Sequence, residues 1–284
     1  MGKTFIMSFY KSSRWCKMLL LIIIILLFFI GFNSYSNKEG FINQTEKFSF
    51  IKGPQIFDGF YSNIYDDIIT DTVKDEYQIG EIINNTLPTN SSLVLDVGSG
   101  TGDIVSLFNQ KNVKAIGLDN SFDMIKIAKS KYPSLTFNHG NATNIMIYPA
   151  HTFTHVTCLN DTIYYIKDKT TFIKNVYEWL LPGGFFILGL NKSDDFALTN
   201  NNKHKFNTFT YKSSFEKNKT FGYFTEMFKD ENNIVRKQQH ELYLSNNKKI
   251  LETAQSNGFI IEGKFSLSPI HYNNKSVYLL YKPE

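Results

Sequence analysis

The residues best suited to chemistry stand in one run, Val94-Leu95-Asp96-Val97-Gly98-Ser99-Gly100-Thr101-Gly102-Asp103. Here glycine recurs at every second position between an apolar stretch and a helix-forming one. Only glycine combines left-handed dihedrals with close approach of a ligand to the main chain. The N–H groups of such a turn, with the positive end of the following helix, form a seat for a carboxylate or phosphate. Asp119 closes the next apolar run, where a carboxylate can accept from both hydroxyls of a ribose. A glycine turn coupled to an acidic strand end predicts a nucleoside ligand that carries a small anionic group.

The elements that must hold these residues follow from hydrophobic patterning. Ser92 to Val97, Val113 to Leu118, Leu135 to His139, Phe153 to Leu159 and Phe185 to Leu190 are compact apolar runs that read as buried strands. Helical spacing intervenes at Asp103 to Gln110, after the capping residue Ser121, and through Phe172, Ile173, Val176, Trp179 and Leu180. Before them, Tyr61 to Ile83 reads as one or two helices that end before Pro88. Alternating strands and helices predict a doubly wound, mostly parallel α/β sheet with right-handed crossovers. Phe221 to Phe228 and Ile234 to Leu244 flank Asp230-Glu231-Asn232-Asn233, a turn signal that predicts an antiparallel hairpin, within a small β cap over about 203–244. Ser245 precedes a helix through Gln255, and a strand pair, Phe259 to Ile261 and Val277 to Tyr281, follows.

With these residues in view, the sequence resembles the class I S-adenosylmethionine-dependent methyltransferases, from about Tyr61 to the C-terminus. D-V-G-S-G-T-G matches the family's first motif, G-L-D-N-S its acidic second strand, G-N-A-T its adenine loop, and L-L-P-G-G the turn before its fifth strand. The resemblance implies a Rossmann-like sheet of seven strands with an antiparallel last strand, and S-adenosyl-L-methionine as cofactor. It implies that Gly98, Ser99, Gly100, Thr101 and Gly102 pass the methionyl part, that Asp96 helps hold its ammonium group, and that Asp119 with Asn120 clasps the ribose. Asn141 stands where the family usually has an aspartate, and its amide oxygen can accept from the adenine amino group. Ala142 would offer a backbone N–H to the ring, and Asn160 would line the methionine pocket. A nicotinamide-binding fingerprint fits less well, because Asp103 occupies the position that requires glycine or alanine.

For the acceptor side, Tyr164 and Tyr165 follow the fourth strand, where the family places substrate-facing aromatics. Tyr61, Tyr65 and His240 belong to elements expected to roof the pocket. Tyr165 and His240 are the candidate catalytic residues. The expected reaction is in-line methyl transfer to a small-molecule acceptor, with a lipid left open. The alternative is an inactive scaffold that binds cofactor at a membrane.

Composition narrows the classes further. The 284 residues suit one catalytic unit, and 42% hydrophobic with 20% charged residues is ordinary for a globular chain. The net charge of +4 leans on the first seventeen residues, and no basic stripe interleaves with stacking aromatics, so nucleic acid is not an expected partner. Cys16 and Cys158 cannot build a disulfide framework or a Cys-based zinc site, and no metal is expected. Met18 to Phe32 carries no charge and follows Lys3, Lys11, Arg14 and Lys17. It reads either as a single-pass anchor or as the core of a cleaved signal peptide, with the anchor favoured by its long basic lead. The expected organisation is a basic segment 1–17, a transmembrane anchor 18–36, a linker 37–60 and a catalytic domain 61–284, monomeric and membrane-bound with a cytoplasmic N-terminus. That orientation turns the domain away from the cytosol, where the cofactor is made, so the side on which the domain lies stays open.

Overall fold

A computed structural model describes residues 48–192, 203–206 and 208–284, together with Ser13, Trp15 and Met18. The chain divides into two compact units, Met1–Lys47 and Phe48–Glu284, and the architecture below is that of the second. The basic segment 1–17 and the anchor 18–36 lie, apart from those three residues, outside the described residues. Among the described residues no helix is long and apolar enough to cross a membrane.

The second unit opens with a strand, β1 (Phe48–Lys52), and a short 3-10 turn over Gly53–Ile56. Two helices follow, α1 (Gly59–Ile69) and α2 (Thr72–Thr86), each started by an aspartate that accepts a helix-end N–H. Asp58 takes the Tyr61 N–H at 3.1 Å and Asp71 the Lys74 N–H at 3.0 Å, which satisfies donors the first turn leaves unpaired. Leu87, at φ +45°, ends α2 by donating to the Ile83 carbonyl, just before Pro88.

The main layer then alternates: β2 (Leu93–Val97), α3 (Asp103–Gln110), β3 (Lys114–Asp119), α4 (Phe122–Lys131), β4 (Thr136–His139), β5 (Phe153–Cys158), α5 (Lys169–Trp179) and β6 (Leu180–Asn191). After the insertion come α6 (Asn247–Ser256), β11 (Ile260–Ser266) and β12 (Lys275–Tyr281). The seven strands lie in the order β11-β12-β6-β5-β2-β3-β4, and β12 runs antiparallel to both its neighbours. This is the expected Rossmann-like sheet with its antiparallel last strand. The chain winds outward from β2 through β4 and then restarts on the other side at β5. The carboxyl ends of β2 and β5 therefore flank the crevice where ligands of such sheets bind.

Two-residue periodicity divides the core between the sheet's faces. Leu95, Val97, Phe186 and Leu188 pack with Phe172, Val176 and Trp179 on one side. Val94 and Ile187 turn the other way, to Ile104, Val105, Phe108 and Val277. Truncating a side chain as fully buried as Trp179 to alanine costs about 3–5 kcal/mol in such cores. Cys158 is buried in the first cluster.

The expected hairpin forms as β9 (Phe221–Asp230) and β10 (Val235–Tyr243), with the Asp230 carboxylate accepting from Asn232 and Ile234 N–H in the turn. It is part of a larger sheet, β1-β10-β9-β8-β7, that includes β7 (Lys203–Lys205) and β8 (Phe209–Lys217). Here the linker expected over 37–60 is corrected from Phe48 onward, because β1 pairs in parallel with β10 through Phe48↔Val235 and Lys52↔Gln239. Ile56, Tyr61, Met124, Tyr211 and Phe228 form a separate apolar cluster that joins this sheet to α1 and α4.

Candidate active site

A cavity of about 810 Å³ opens between the carboxyl ends of the main strands and the second sheet. Its floor includes Gly98, Gly100, Asp119, Asn120, Asn141, Ala142 and Asn160; Tyr65, Phe57, Tyr61, Tyr165, Phe224 and His240 face them. The fold thus brings the expected cofactor-side residues Gly98, Gly100, Asp119, Asn120, Asn141, Ala142 and Asn160 to the same cavity as Tyr165 and His240.

The glycine turn is built as the spacing requires. Gly98 has φ +75°, and a Cβ there would lie 2.4 Å from Thr162 Cγ2. Gly100 has φ +51°, and a Cβ there would meet nothing nearer than Tyr65 Cε1 at 3.9 Å, so it would project into the cavity. Four of the turn's main-chain donors, however, are engaged within the protein. Gly98 and Ser99 N–H donate to the Leu118 carbonyl at 2.8 and 3.2 Å, and Gly102 N–H to the Ser99 carbonyl at 2.9 Å. Gly100 N–H donates to Asp119 Oδ2 at 2.9 Å. The expected anion seat of open N–H groups is narrowed accordingly: those of Gly98, Ser99, Gly100 and Gly102 are spent within the protein.

Four further candidates lie outside the cavity wall. Asp96 is 3% exposed, and its Oδ1 accepts from the Thr157 hydroxyl at 2.6 Å. Burial pushes its pKa up to about 7, against the lowering effect of that bond. The expected contact with an ammonium group is therefore not made from the cavity wall. Ser99 faces Gly117, where an added Cβ would come within 2.6 Å of its Oγ, and that hydroxyl meets no partner among the described residues. Thr101 donates to Asp66 Oδ1 at 2.5 Å and ties the turn to α1. Gly102 packs on Phe137.

Asp119 lies at the end of β3 with both oxygens directed inward, Oδ1 accepting from Ser121 N–H at 2.8 Å and Oδ2 from Gly100. Burial raises its pKa, while these two bonds oppose the rise. Each oxygen keeps a further lone pair. Asn141 departs from expectation: its Oδ1 already accepts from Thr143 N–H and Thr143 Oγ1, each at 2.9 Å, which uses both lone pairs. Ala142 is held by its carbonyl, which accepts from Asn175 at 2.9 Å. Asn160, at φ +49°, donates to Asp75 at 3.0 Å and accepts from Gln78 at 3.2 Å.

Sequence reasoning missed two lysines in the cavity wall, each beside a carboxylate. Lys275 Nζ lies 2.6 Å from Asp161 Oδ2, and Lys74 Nζ lies 3.6 Å from Asp75 Oδ1. Burial lowers the Lys74 pKa, and Asp75 pulls it back. Both lysines come from segments with no motif, so only the fold reveals them.

It also missed what stands behind His240. Tyr165 Oη lies 2.9 Å from His240 Nδ1, and His240 Nε2 lies 2.7 Å from Glu226 Oε2. Glu226 is 0% exposed and accepts in addition from Tyr211 Oη and Gln238 Nε2, each at 2.7 Å. Burial alone would raise its pKa, yet the His240, Tyr211 and Gln238 bonds hold it below the usual value. Burial also raises Tyr165, helped by the nearby Tyr65 and Glu226, so its phenol is neutral at ordinary pH. Tyr164 is instead structural: it is buried, and its Oη accepts from Asn191 N–H at 3.0 Å. Among the described residues no His, Cys, Asp and Glu grouping could hold a metal ion.

Comparison with known proteins agrees with this geometry. Residues 94–184 match the family model of the methyltransferase domain. The chain is 34% identical over 104 residues to erythromycin 3''-O-methyltransferase of Saccharopolyspora erythraea, covering 34% of this chain and 33% of that protein. It is 28% identical over 199 residues to carboxy-S-adenosyl-L-methionine synthase of Staphylococcus epidermidis, covering 64% and 78%. The chain spans about a third to two fifths of the length of the first curated relatives it matches. In fold it is similar to an S-adenosylmethionine-dependent methyltransferase from Clostridium acetobutylicum, with TM-score 0.66 at 20% identity over 79% of this chain and 98% of the other. It is similar as well to S-adenosylmethionine-bound CalS10, an amino pentose methyltransferase from Micromonospora echinaspora, with TM-score 0.63 at 16% identity over 78% and 96%. The resemblance read from four motifs, to the class I S-adenosylmethionine-dependent methyltransferases, is borne out by the family-model match and the fold together.

Proposed function

We propose that this chain, whose fold and motifs are those of a class I S-adenosylmethionine-dependent methyltransferase, transfers a methyl group to a small-molecule acceptor held under its second sheet. The observation that carries this reading is the single cavity walled on one side by Gly98, Gly100 and Asp119 and on the other by Tyr165 and His240. A nucleoside floor and a protonic, aromatic roof thus face each other across one space.

The residues fit the cofactor. The surface at Gly100 is a cradle that a Cβ would fill, and Asp119 retains lone pairs for two ribose hydroxyls. Asn120, Asn141 and Ala142 border the place for the base, and Asn160 that for the methionyl chain. Because the N–H groups of all three glycines are engaged, Lys74 and Lys275, which line the cavity, are assigned the carboxylate. When bound, the cofactor supplies a methyl group already activated by the sulfonium charge.

The protein's own task is then to position and to exclude water. Holding a nucleophile in line with its target can contribute roughly 7–11 kcal/mol. Ile56, Phe57, Tyr61, Ile68 and Met124 make that side of the cavity apolar, which suits a small organic acceptor. Among the similar proteins, one is named for erythromycin and another for an amino pentose. A sugar-like acceptor is consistent with a cavity that mixes aromatic faces with hydroxyl and imidazole groups. The scaffold alternative gains no support, since both the nucleoside floor and the acceptor side are formed.

Residues 18–36 are assigned to a membrane anchor on the strength of their fifteen uncharged positions from Met18 to Phe32. The activity is tested by incubating the full chain with S-adenosylmethionine and fractionated small molecules. Release of S-adenosylhomocysteine together with a product heavier by one methylene is expected. Cofactor that stays intact with every fraction contradicts the proposal.

A further inference from the structure

The three groups that stand behind the acceptor side of the cavity have a direction. Glu226 receives Gln238 Nε2, a donor only, and His240 on Oε2, and Tyr211 on Oε1. A carboxylate surrounded by three donors accepts from all of them. The His240 nitrogen that faces it, Nε2, must then carry a hydrogen. In the neutral imidazole the other nitrogen, Nδ1, is consequently a lone pair, and the group 2.9 Å from it, Tyr165 Oη, must donate. Tyr165 has given up its one hydrogen to the histidine, so whatever its oxygen offers the cavity is a lone pair.

We propose that Glu226, His240 and Tyr165 form a one-way proton relay, and that the acceptor is a molecule presenting a neutral O–H or N–H to Tyr165. This rests on the methyltransferase reading and deepens it. Tyr165 is the catalytic residue because it opens to the cavity. His240, 2% exposed, receives the proton through it, and Glu226, wholly buried, is a positioning residue.

The step balances. As the acceptor's oxygen or nitrogen bonds to the methyl carbon, the C–S bond breaks and its electron pair returns to sulfur, leaving a neutral thioether. The acceptor's proton passes to Tyr165 Oη while the tyrosine's own proton passes to His240 Nδ1. The resulting imidazolium is held by Glu226 at 2.7 Å. A positioned base of this kind contributes about 10²–10⁴-fold. The rings reinforce the alignment: Phe57 meets Tyr165 and His240 edge-on at 5.6 Å each, and Tyr61 meets His240 likewise at 5.6 Å. Neither ring can turn without disturbing the others.

The test uses the full chain, wild type and the variants Tyr165→Phe and Glu226→Gln, each first titrated with S-adenosylmethionine. Nitrogen NMR of labelled histidine in wild type is expected to show His240 protonated at Nε2 and bare at Nδ1. Transfer is then measured to proton-bearing probes (glucosamine, methyl glucoside and catechol) and to iodide, a nucleophile with no proton to lose. Tyr165→Phe is expected to lower the ratio of proton-bearing to iodide transfer by at least about a hundredfold, and Glu226→Gln by about tenfold. Should Glu226→Gln fail to fold, Tyr165→Phe and the wild-type tautomer decide alone. A hydrogen on Nδ1, an unchanged ratio, or a wild type that binds cofactor but serves only iodide overturns the relay. A wild type that binds no cofactor instead overturns the methyltransferase reading, and the tautomer alone then judges the relay's direction.

Discussion

Asp119 Oδ2 accepts the N–H of Gly100, nineteen residues earlier in the chain, at 2.9 Å. The acidic strand end and the glycine turn are therefore not two independent halves of a nucleoside site but one hydrogen-bonded unit. The bond fixes the height of the turn against β3, and the second oxygen, held by Ser121, fixes the carboxylate's plane. It also removes the Gly100 N–H from the donors open to a ligand's carboxylate.

Substitutions at the two glycines should separate folding from binding. Gly98→Ala places a methyl 2.4 Å from Thr162 in a left-handed conformation, and a loss of about 1–3 kcal/mol in chemical denaturation is expected. Gly100→Ala has room in the protein but intrudes on the cavity, so it should keep most stability, within about 1–2 kcal/mol, and lose cofactor binding. Equal effects of both changes in the two assays would contradict the assignment of the floor.

Lys74 is expected to act through the ligand's carboxylate. Lys74→Met should weaken S-adenosylmethionine binding about tenfold or more, or about 1.4 kcal/mol, while binding of 5'-methylthioadenosine, which lacks the amino-acid end, stays within about twofold. Competition between the two nucleosides measures both. Parallel losses would place the lysine elsewhere in the energetics.

The fold was legible in the sequence wherever contacts are local or periodic, and that includes most of the site's floor. Ser121 marked the start of α4, Asp103 to Gln110 matched α3, and strict apolar runs gave five strands of the main sheet. β1 was illegible because its pairing partner, β10, is nearly two hundred residues away and no local pattern anticipates a parallel edge. β8 reads Phe-Thr-Tyr-Lys-Ser-Ser-Phe-Glu-Lys, too polar to register as a buried strand. Tyr165 was found by its position after a strand end and His240 by its place in the element expected to roof the pocket, but Glu226 was not found. A carboxylate with 0% exposure is specified by Tyr211, Gln238 and His240 across neighbouring strands, which only the register brings together.

Asp96 should leave a pH signature in stability. Its folded pKa is raised from 3.8 to about 7, so the folded state favours the protonated form. Stability from this group is full below the unfolded pKa and is lost as pH rises through about 7, by at most about 4 kcal/mol. Asp96→Asn keeps an oxygen for the Thr157 hydroxyl and removes the charge. Thermal unfolding between pH 4 and 8 should accordingly show a flatter profile and a higher melting temperature near pH 8 than wild type. A variant less stable than wild type at pH 8 would show that the carboxylate is used in its ionised form.

The most direct measurement is a calorimetric titration of the full chain with S-adenosylmethionine, repeated with Asp119→Ala. The account predicts wild-type binding on the order of micromolar and a loss of at least about tenfold, or roughly 1.4 kcal/mol, in the variant. Wild-type protein that takes up no cofactor, or an alanine variant that binds it as tightly, would contradict the claim that Asp119 and the turn it anchors form a nucleoside site.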